Sequence, residues 1–484
     1  MLHPTLRRLA SIAALLLALR AAAAETPHPP PSSADLFGPA TFTLPKLSPN
    51  GQFVAVLERL DDSRYALNLI DLAARSKRPL IRDAHLNVRD FWWKADDVIV
   101  FLVEESAFTR TFRALNLKTM VVSDLTGLRY TGIRIVNLLH DDPEHMLVGL
   151  PPDRIASFQN GGSDNVISLA RANVRTGEMT PVETRPGSYI ESWITNRAGE
   201  ALGVWGSENS QWFLDWRTGA KEAWHRIDLP KGRPPPWRPL GLAPDQRRFI
   251  VEEVGERTFS RVSLLDPVTA ALEPVPGPPD ADVAFVDKWG SQESLAIIGY
   301  RSEGDNLRFL DPEAEEVHRW IGTLFPGVLA KCESFSRDDR RIIVSLSSDR
   351  NPGVYFLLDR AAKKATPLSR AYAAIDPNLM APTRTFRFAA GDGLPLSGRI
   401  TLPAGVAKPP LVVVVGPSFT SPAPEGFDRT AQFFASRGYA TARINHRGVI
   451  GFGRSFLIAG DLQVATGMAS DLAEGVKWLA AQGW

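Results

Sequence analysis

Cysteine is almost absent from the 484 residues: Cys332 stands alone, so no intramolecular disulfide can staple the chain, and burial and hydrogen bonding must hold it. Charge of one sign is lacking too. Fifty-five Lys and Arg face 54 Asp and Glu for a formal net charge of +1, and no basic block or acidic tail breaks the mixture, so nucleic acid and anionic membrane surfaces are not indicated as partners. A bilayer-spanning run is also missing. The apolar stretch near the start, residues 9–19, is about eleven residues long where a spanning helix needs roughly 20. What the start does have is Arg7 and Arg8 before that stretch and Ala22, Ala23 and Ala24 after it, the pattern of a secretory signal over residues 1–24. Arg20, at the end of the stretch, is the one feature out of keeping. An exported chain without disulfides, and without a cysteine near the signal to carry lipid, is expected in a bacterial periplasm or outside the cell, free of the membrane once the signal is cleaved.

With 44% hydrophobic and 23% charged residues, the chain has the composition of a folded protein of two or three domains. After a lead-in of residues 25–46, one pattern returns at intervals of roughly 45 residues. It consists of a polar turn, an apolar strand, a polar gap, a second apolar strand and a short turn into a third. Its seven openings are LSPNGQFVAVL at Leu47, FWWKADDVIVFLV at Phe91, LLHDDPEHMLVGL at Leu138, WITNRAGEALGVW at Trp193, LGLAPDQRRFIVEEV at Leu240, FVDKWGSQESLAIIGY at Phe285 and CESFSRDDRRIIVSL at Cys332. Units of short strands at this period cannot bury both faces alone and stack about an axis, which predicts a seven-bladed β-propeller over residues 47–375. Paired sandwiches or tandem small β domains are the competing all-β arrangement. Trp92, Trp93, Trp193, Trp212, Trp216 and Trp289 fall on these strands and are expected to pack between blades. His140 and His145, with Asp141, Asp142 and Glu144 between them, belong to a hairpin turn, where acidic residues are expected without a metal.

A linker, residues 376–383, leads into residues 384–484. There TRTFRFAAGDGLPLSGRITLP gives two strands about Asp392-Gly393, and Pro409-Pro410 precedes an apolar strand of residues 411–415 (Leu411, Val412, Val413, Val414, Val415). Residues 426–438 have apolar positions at helical spacing and a glycine stop, residues 440–444 form a buried strand, and Ser470-Asp471 is read as opening a helix with Leu472, Val476, Leu479 and Ala480 on one face. That order of elements is the opening half of an α/β-hydrolase sheet.

A seven-bladed propeller followed by FFASRGYATARINHRGVIGFGRSF and DLAEGVKWLAAQGW resembles the prolyl oligopeptidase family of serine peptidases, in particular its acylaminoacyl-peptidase and dipeptidyl-peptidase-like branches. Arg447, Gly448, Gly451, Phe452 and Gly453 are the residues most specific to it. The resemblance implies hydrolysis of short peptides through a serine acyl-enzyme, with the propeller filtering by size, and implies no cofactor or metal. Two departures stand against turnover. No Gly-x-Ser-x-Gly occurs in the 484 residues, nor do the Asp and His that follow it in the family, so no catalytic residue is assigned. Where the family has His-Gly-Gly-Pro, this chain has Gly416-Pro417-Ser418-Phe419, and Pro417 has no N–H to donate. Ser418 follows a strand as a nucleophile does but is expected to be a loop serine, and His446 a turn histidine. The expectation is an inactive or truncated relative, its bare strand 411–415 offering an edge to a second chain. The alternatives are a non-enzymatic propeller that binds peptides or a protein, and one half of a split hydrolase.

Overall fold

Seven returns of one sequence pattern become seven consecutive antiparallel sheets. They lie within residues 42–81, 87–124, 134–184, 189–228, 237–274, 283–309 and 329–370, and among the described residues the sixth has three strands and the others four. The computed structural model describes residues 29–61, 64–82, 86–106, 109–125, 133–150, 168–185, 188–231, 235–254, 258–301 and 306–484. The expected signal, residues 1–24, lies outside them. Each polar opening turn joins the first and second strands of a sheet. Ser48 shows the mechanism: its Oγ accepts the Phe53 N–H at 2.9 Å and donates to Asn50 at 2.7 Å, and Ser336 repeats both bonds with Arg341 and Asp338. The third strands of the first, second, third and fifth sheets end in Asp or Asn, whose side chains accept N–H groups two and three residues on: Asp71, Asn116, Asn173 and Asp266.

Neighbouring sheets share apolar clusters in sequence order: Leu57 and Leu67 with Phe91 and Ile99, Leu147 and Leu169 with Ile190 and Trp193, Trp205 and Trp216 with Trp237 and Phe249, Trp289 and Ile297 with Ile342 and Val344. The seventh sheet packs on the first, where Ile343 meets Leu47 and Val54. Each such side chain taken from water contributes about 1.5–3 kcal/mol. Of the six tryptophans read as packing residues, Trp93, Trp193, Trp216 and Trp289 are buried in these clusters, while Trp92 and Trp212 are partly exposed at their margins.

The sixth sheet breaks the repeat for a local reason. Leu265-Asp266-Pro267 and Leu310-Asp311-Pro312 are the same tripeptide, yet the first turns into a fourth strand and the second starts a helix, Pro312–Leu324. Asp311 caps it by accepting the Glu313 N–H at 2.8 Å, and Ala314, Val317 and Ile321 supply a buried helical stripe that residues 268–276 lack.

The second unit is a sheet in the order Thr383–Ala389, Pro395–Thr401, Ala440–Asn445, Leu411–Val413. Leu411–Val413 runs parallel to Ala440–Asn445 and lies at the edge. The helix Arg429–Ala435 makes the crossover between them: Asp428 caps its start through the Ala431 N–H at 3.0 Å, and Gly438, at φ 86°, takes the chain out of its end. Two expectations need correction. The last helix runs Gly467–Ala481, so Ser470-Asp471 lies inside it instead of capping it. Its buried face is Met468, Asp471, Gly475 and Leu479, while Val476 is exposed, because the half-buried Arg447 holds Asp471 inward. The start of the chain also serves this unit: Leu36 of helix Ser33–Phe37 packs with Ile375 and Met380, and Phe37 lies 5.6 Å from the Phe433 ring.

Candidate functional site

The parallel strands end at Val413 and Asn445, and the loops beyond them meet on one side of the sheet, the place where open α/β sheets form their sites. Asn445, almost fully buried, accepts the Ala423 N–H at 2.8 Å and donates to Ser397 at 3.1 Å. The Ile450 N–H reaches the Thr420 carbonyl at 3.0 Å and closes the two loops on each other.

Arg447 fixes the second loop from within. Its guanidinium and its own N–H both bond Asp471, with Nη2 to Oδ1 at 2.7 Å and N to Oδ2 at 2.8 Å, and Nη1 reaches Asp392 at 2.8 Å. Asp471 is fully buried. These partners hold the guanidinium charged, Asp471 first and Asp392 second, and Arg447 in turn keeps the Asp392 carboxyl below its usual range. The far end of the loop is fixed from the other unit. The Gly453 N–H donates to Asp282 at 2.8 Å, the Arg454 N–H to the Thr258 carbonyl at 2.6 Å, and Glu425 stands 3.9 Å from Arg301. Gly453 sits at φ 87°, and a Cβ there would lie 2.7 Å from the Thr258 oxygen, so only glycine permits the contact. The second carboxylate oxygen of Asp282 accepts the Ser260 N–H at 2.8 Å, which ties the latch back into its own sheet.

The candidates read from sequence are not brought together. Ser418 is exposed, and its hydroxyl bonds the hydroxyls of Ser421 at 2.7 Å and Thr420 at 3.2 Å. His446 is turned inward and buried, its Nδ1 2.7 Å from the Arg447 carbonyl. His140 and His145 diverge: His145 bonds Asp142 at 3.0 Å, and His140 faces Glu293 at 3.9 Å. In this arrangement the strand ends hold and position. Val415, Phe419 and Ile450 present exposed apolar surface there, with three hydroxyls beside it. Sequence reasoning missed Asp282, Thr258 and Arg301, which lie in the repeat and carry no motif. For Asp471 a signal existed, since an Asp in register with Gly475 and Leu479 on a helix face calls for a cationic partner.

Residues 425–484 match the prolyl oligopeptidase family. Over 514 aligned residues the chain is 25% identical to dipeptidyl aminopeptidase BIII of Pseudoxanthomonas mexicana, a match that covers 100% of this chain and 72% of that protein. Among solved structures, a prolyl endopeptidase superposes with a TM-score of 0.63 at 15% identity, over 93% of this chain and 67% of its own. An acylaminoacyl peptidase of Pyrococcus horikoshii superposes with a TM-score of 0.58 at 17% identity, over 92% and 71%. These likenesses establish a shared fold.

Proposed function

We propose that this chain, which resembles the prolyl oligopeptidase family, forms the seven-bladed propeller and the first half of the α/β-hydrolase domain of a serine-type peptidase directed at short peptides. Seven sheets whose last packs on the first support the propeller. The observation that carries the reading is the Arg447–Gly453 loop, locked to its own helix by Asp471 and to the propeller by Asp282 and Thr258. That geometry holds the strand ends against a β unit able to sort what reaches them. Kinship with a dipeptidyl aminopeptidase favours short peptides as substrates.

Hydrolysis by the family's route needs a hydroxyl activated by an oriented base, with N–H donors for the oxyanion. The 484 residues hold no Gly-x-Ser-x-Gly, Ser418 bonds only neighbouring hydroxyls, and Pro417 replaces a donor. The polypeptide of these 484 residues is therefore inactive by that mechanism and keeps the gating and platform roles. Incubation with a fluorophosphonate and with dipeptidyl p-nitroanilides is expected to give neither a labelled serine nor released nitroaniline. Labelling of Ser418, or turnover abolished by Ser418→Ala, would overturn this.

A second reading, a split hydrolase, rests on the edge position of Leu411–Val413. A second chain adding a strand there would supply the missing groups, and its recovery with this chain from the native source is the test. Export is proposed with either reading: N-terminal sequencing of the protein from its native source is expected to begin at Glu25.

A further inference from the structure

In each of the seven sheets the first-to-second-strand hairpin lies at one end and the second-to-third turn at the other. Thr258, Arg301 and Asp349, which contact the second unit, all belong to the latter end. At the opposite end the first strands and hairpins of several sheets converge on a cavity of about 350 Å³. We infer that this cavity binds a small carboxylate-bearing molecule, the C-terminal end of a short peptide, with Lys94 as its buried cation.

Lys94 is 3% exposed. Its Nζ donates to the carbonyls of Leu138 and Leu139, the second at 2.8 Å, which leaves a third N–H. Among the described residues it has no ion pair. The other lysines of the cavity do: Lys46 meets Asp90 at 2.7 Å, Lys288 meets Glu293 at 2.5 Å and Lys331 lies 3.8 Å from Glu333. The carboxylates thus pair with the more exposed ammoniums and leave the most buried one without a direct ion pair, an arrangement that costs stability unless an anion arrives. Lys46, Lys94, Lys288, Lys331 and Arg337 line the space against Asp287, Glu293 and Glu333, so the wall carries a positive surplus. Trp92, Phe335 and Leu138 line it as well and suit an organic ligand over a bare inorganic ion.

Burial brings the Lys94 ammonium down to about 8. Asp142 and Asp141 of the adjoining hairpin act against that shift, and Arg171 and Arg337 act with it. His140, Lys288 and Glu293 face the same space from the third and sixth sheets. Affinity for an anion should therefore fall as pH rises through that value.

The choice of a peptide as the source of the carboxylate rests on the proposed function; the oxyanion itself does not. Calorimetric titration of the 484-residue protein at fixed ionic strength would compare N-acetyl-alanyl-alanine, its C-terminal amide and inorganic phosphate. The free acid is expected to bind, the amide to bind at least about tenfold more weakly, and Lys94→Met to lose about tenfold or more for the acid. Equal binding of acid and amide, or full affinity in Lys94→Met, would overturn the site. Lys94-dependent binding of phosphate without binding of the peptide acid would overturn the peptide assignment alone and leave the strand-end reading untouched. Should Lys94→Met not fold, the unmodified protein decides: affinity for the acid is expected to drop about tenfold or more between about pH 7 and about pH 9.5, and a flat profile refutes the role of Lys94.

Discussion

Arg447 carries two jobs in one side chain. Toward the interior it neutralises Asp471, a carboxylate with no exposed surface, and toward the surface it reaches Asp392 in the turn between the first two strands. Lysine could supply the charge but not the forked pair of bonds to Asp471 that also positions the loop. Removing the guanidinium leaves Asp471 buried and unpaired, so Arg447→Met is expected to cost about 3–5 kcal/mol, whereas Arg447→Met combined with Asp471→Leu should recover most of the loss. Urea unfolding followed by tryptophan fluorescence across the double-mutant cycle measures this. Additive losses would mean that the two residues act apart.

The strand Leu411–Val413 is the element whose surroundings decide how the second unit behaves. It pairs on one side only, and the bonds from Ala440 N–H to the Pro410 carbonyl and from Val414 N–H to the Ala442 carbonyl show which groups face the pair. In a parallel ladder the intervening Val413 N–H then points outward, toward whatever strand is added. Val413→Pro should leave the existing ladder intact while blocking that edge. If the edge takes up a strand, unmodified protein will self-associate with rising concentration in sedimentation experiments and Val413→Pro will do so several-fold less; identical profiles would dismiss the edge as a docking surface. Elements of this kind are legible in the sequence because their signals are local. Turn residues such as Ser48 and Asn116, the apolar run at Leu411 and the glycine at 438 each act within a few positions. The start of the Gly467–Ala481 helix is not legible in the same way, because Ser470-Asp471 has the composition of a cap, and only a partner 24 residues away turns Asp471 into the core. The missing strand of the sixth sheet is hidden for a related reason, since Leu-Asp-Pro opens a turn or a helix according to the apolar spacing of the next ten or so residues.

At the scale of the molecule, what the sequence could not disclose is how the two units hold each other, because the residues responsible lie far apart in the chain and belong to no motif. Asp282 and Gly453 are separated by 171 positions, and Gln432 bonds Ala381 and Asp349 across 51 and 83. Glycines 448, 451 and 453 announced a constrained loop, but not that the constraint was the other unit's Thr258 and Asp282. The four-stranded sheet of the second unit has its own apolar cluster, and contacts with residues 29–41 and with the fifth to seventh sheets tie it to the rest of the chain. The 484-residue protein should therefore unfold as one cooperative unit. Asp282 accepts two N–H groups, one from each unit, and charge-assisted bonds of this kind are worth about 1.5–3 kcal/mol apiece. Loss of the carboxylate in Asp282→Ala is expected to separate the units energetically. Calorimetry would then show a second, lower transition, and hydrogen exchange would place the early opening in residues 384–484 while the seven sheets stay protected. A single transition at reduced temperature, with exchange rising evenly along the chain, would instead assign Asp282 to its own sheet and leave the coupling to Gln432.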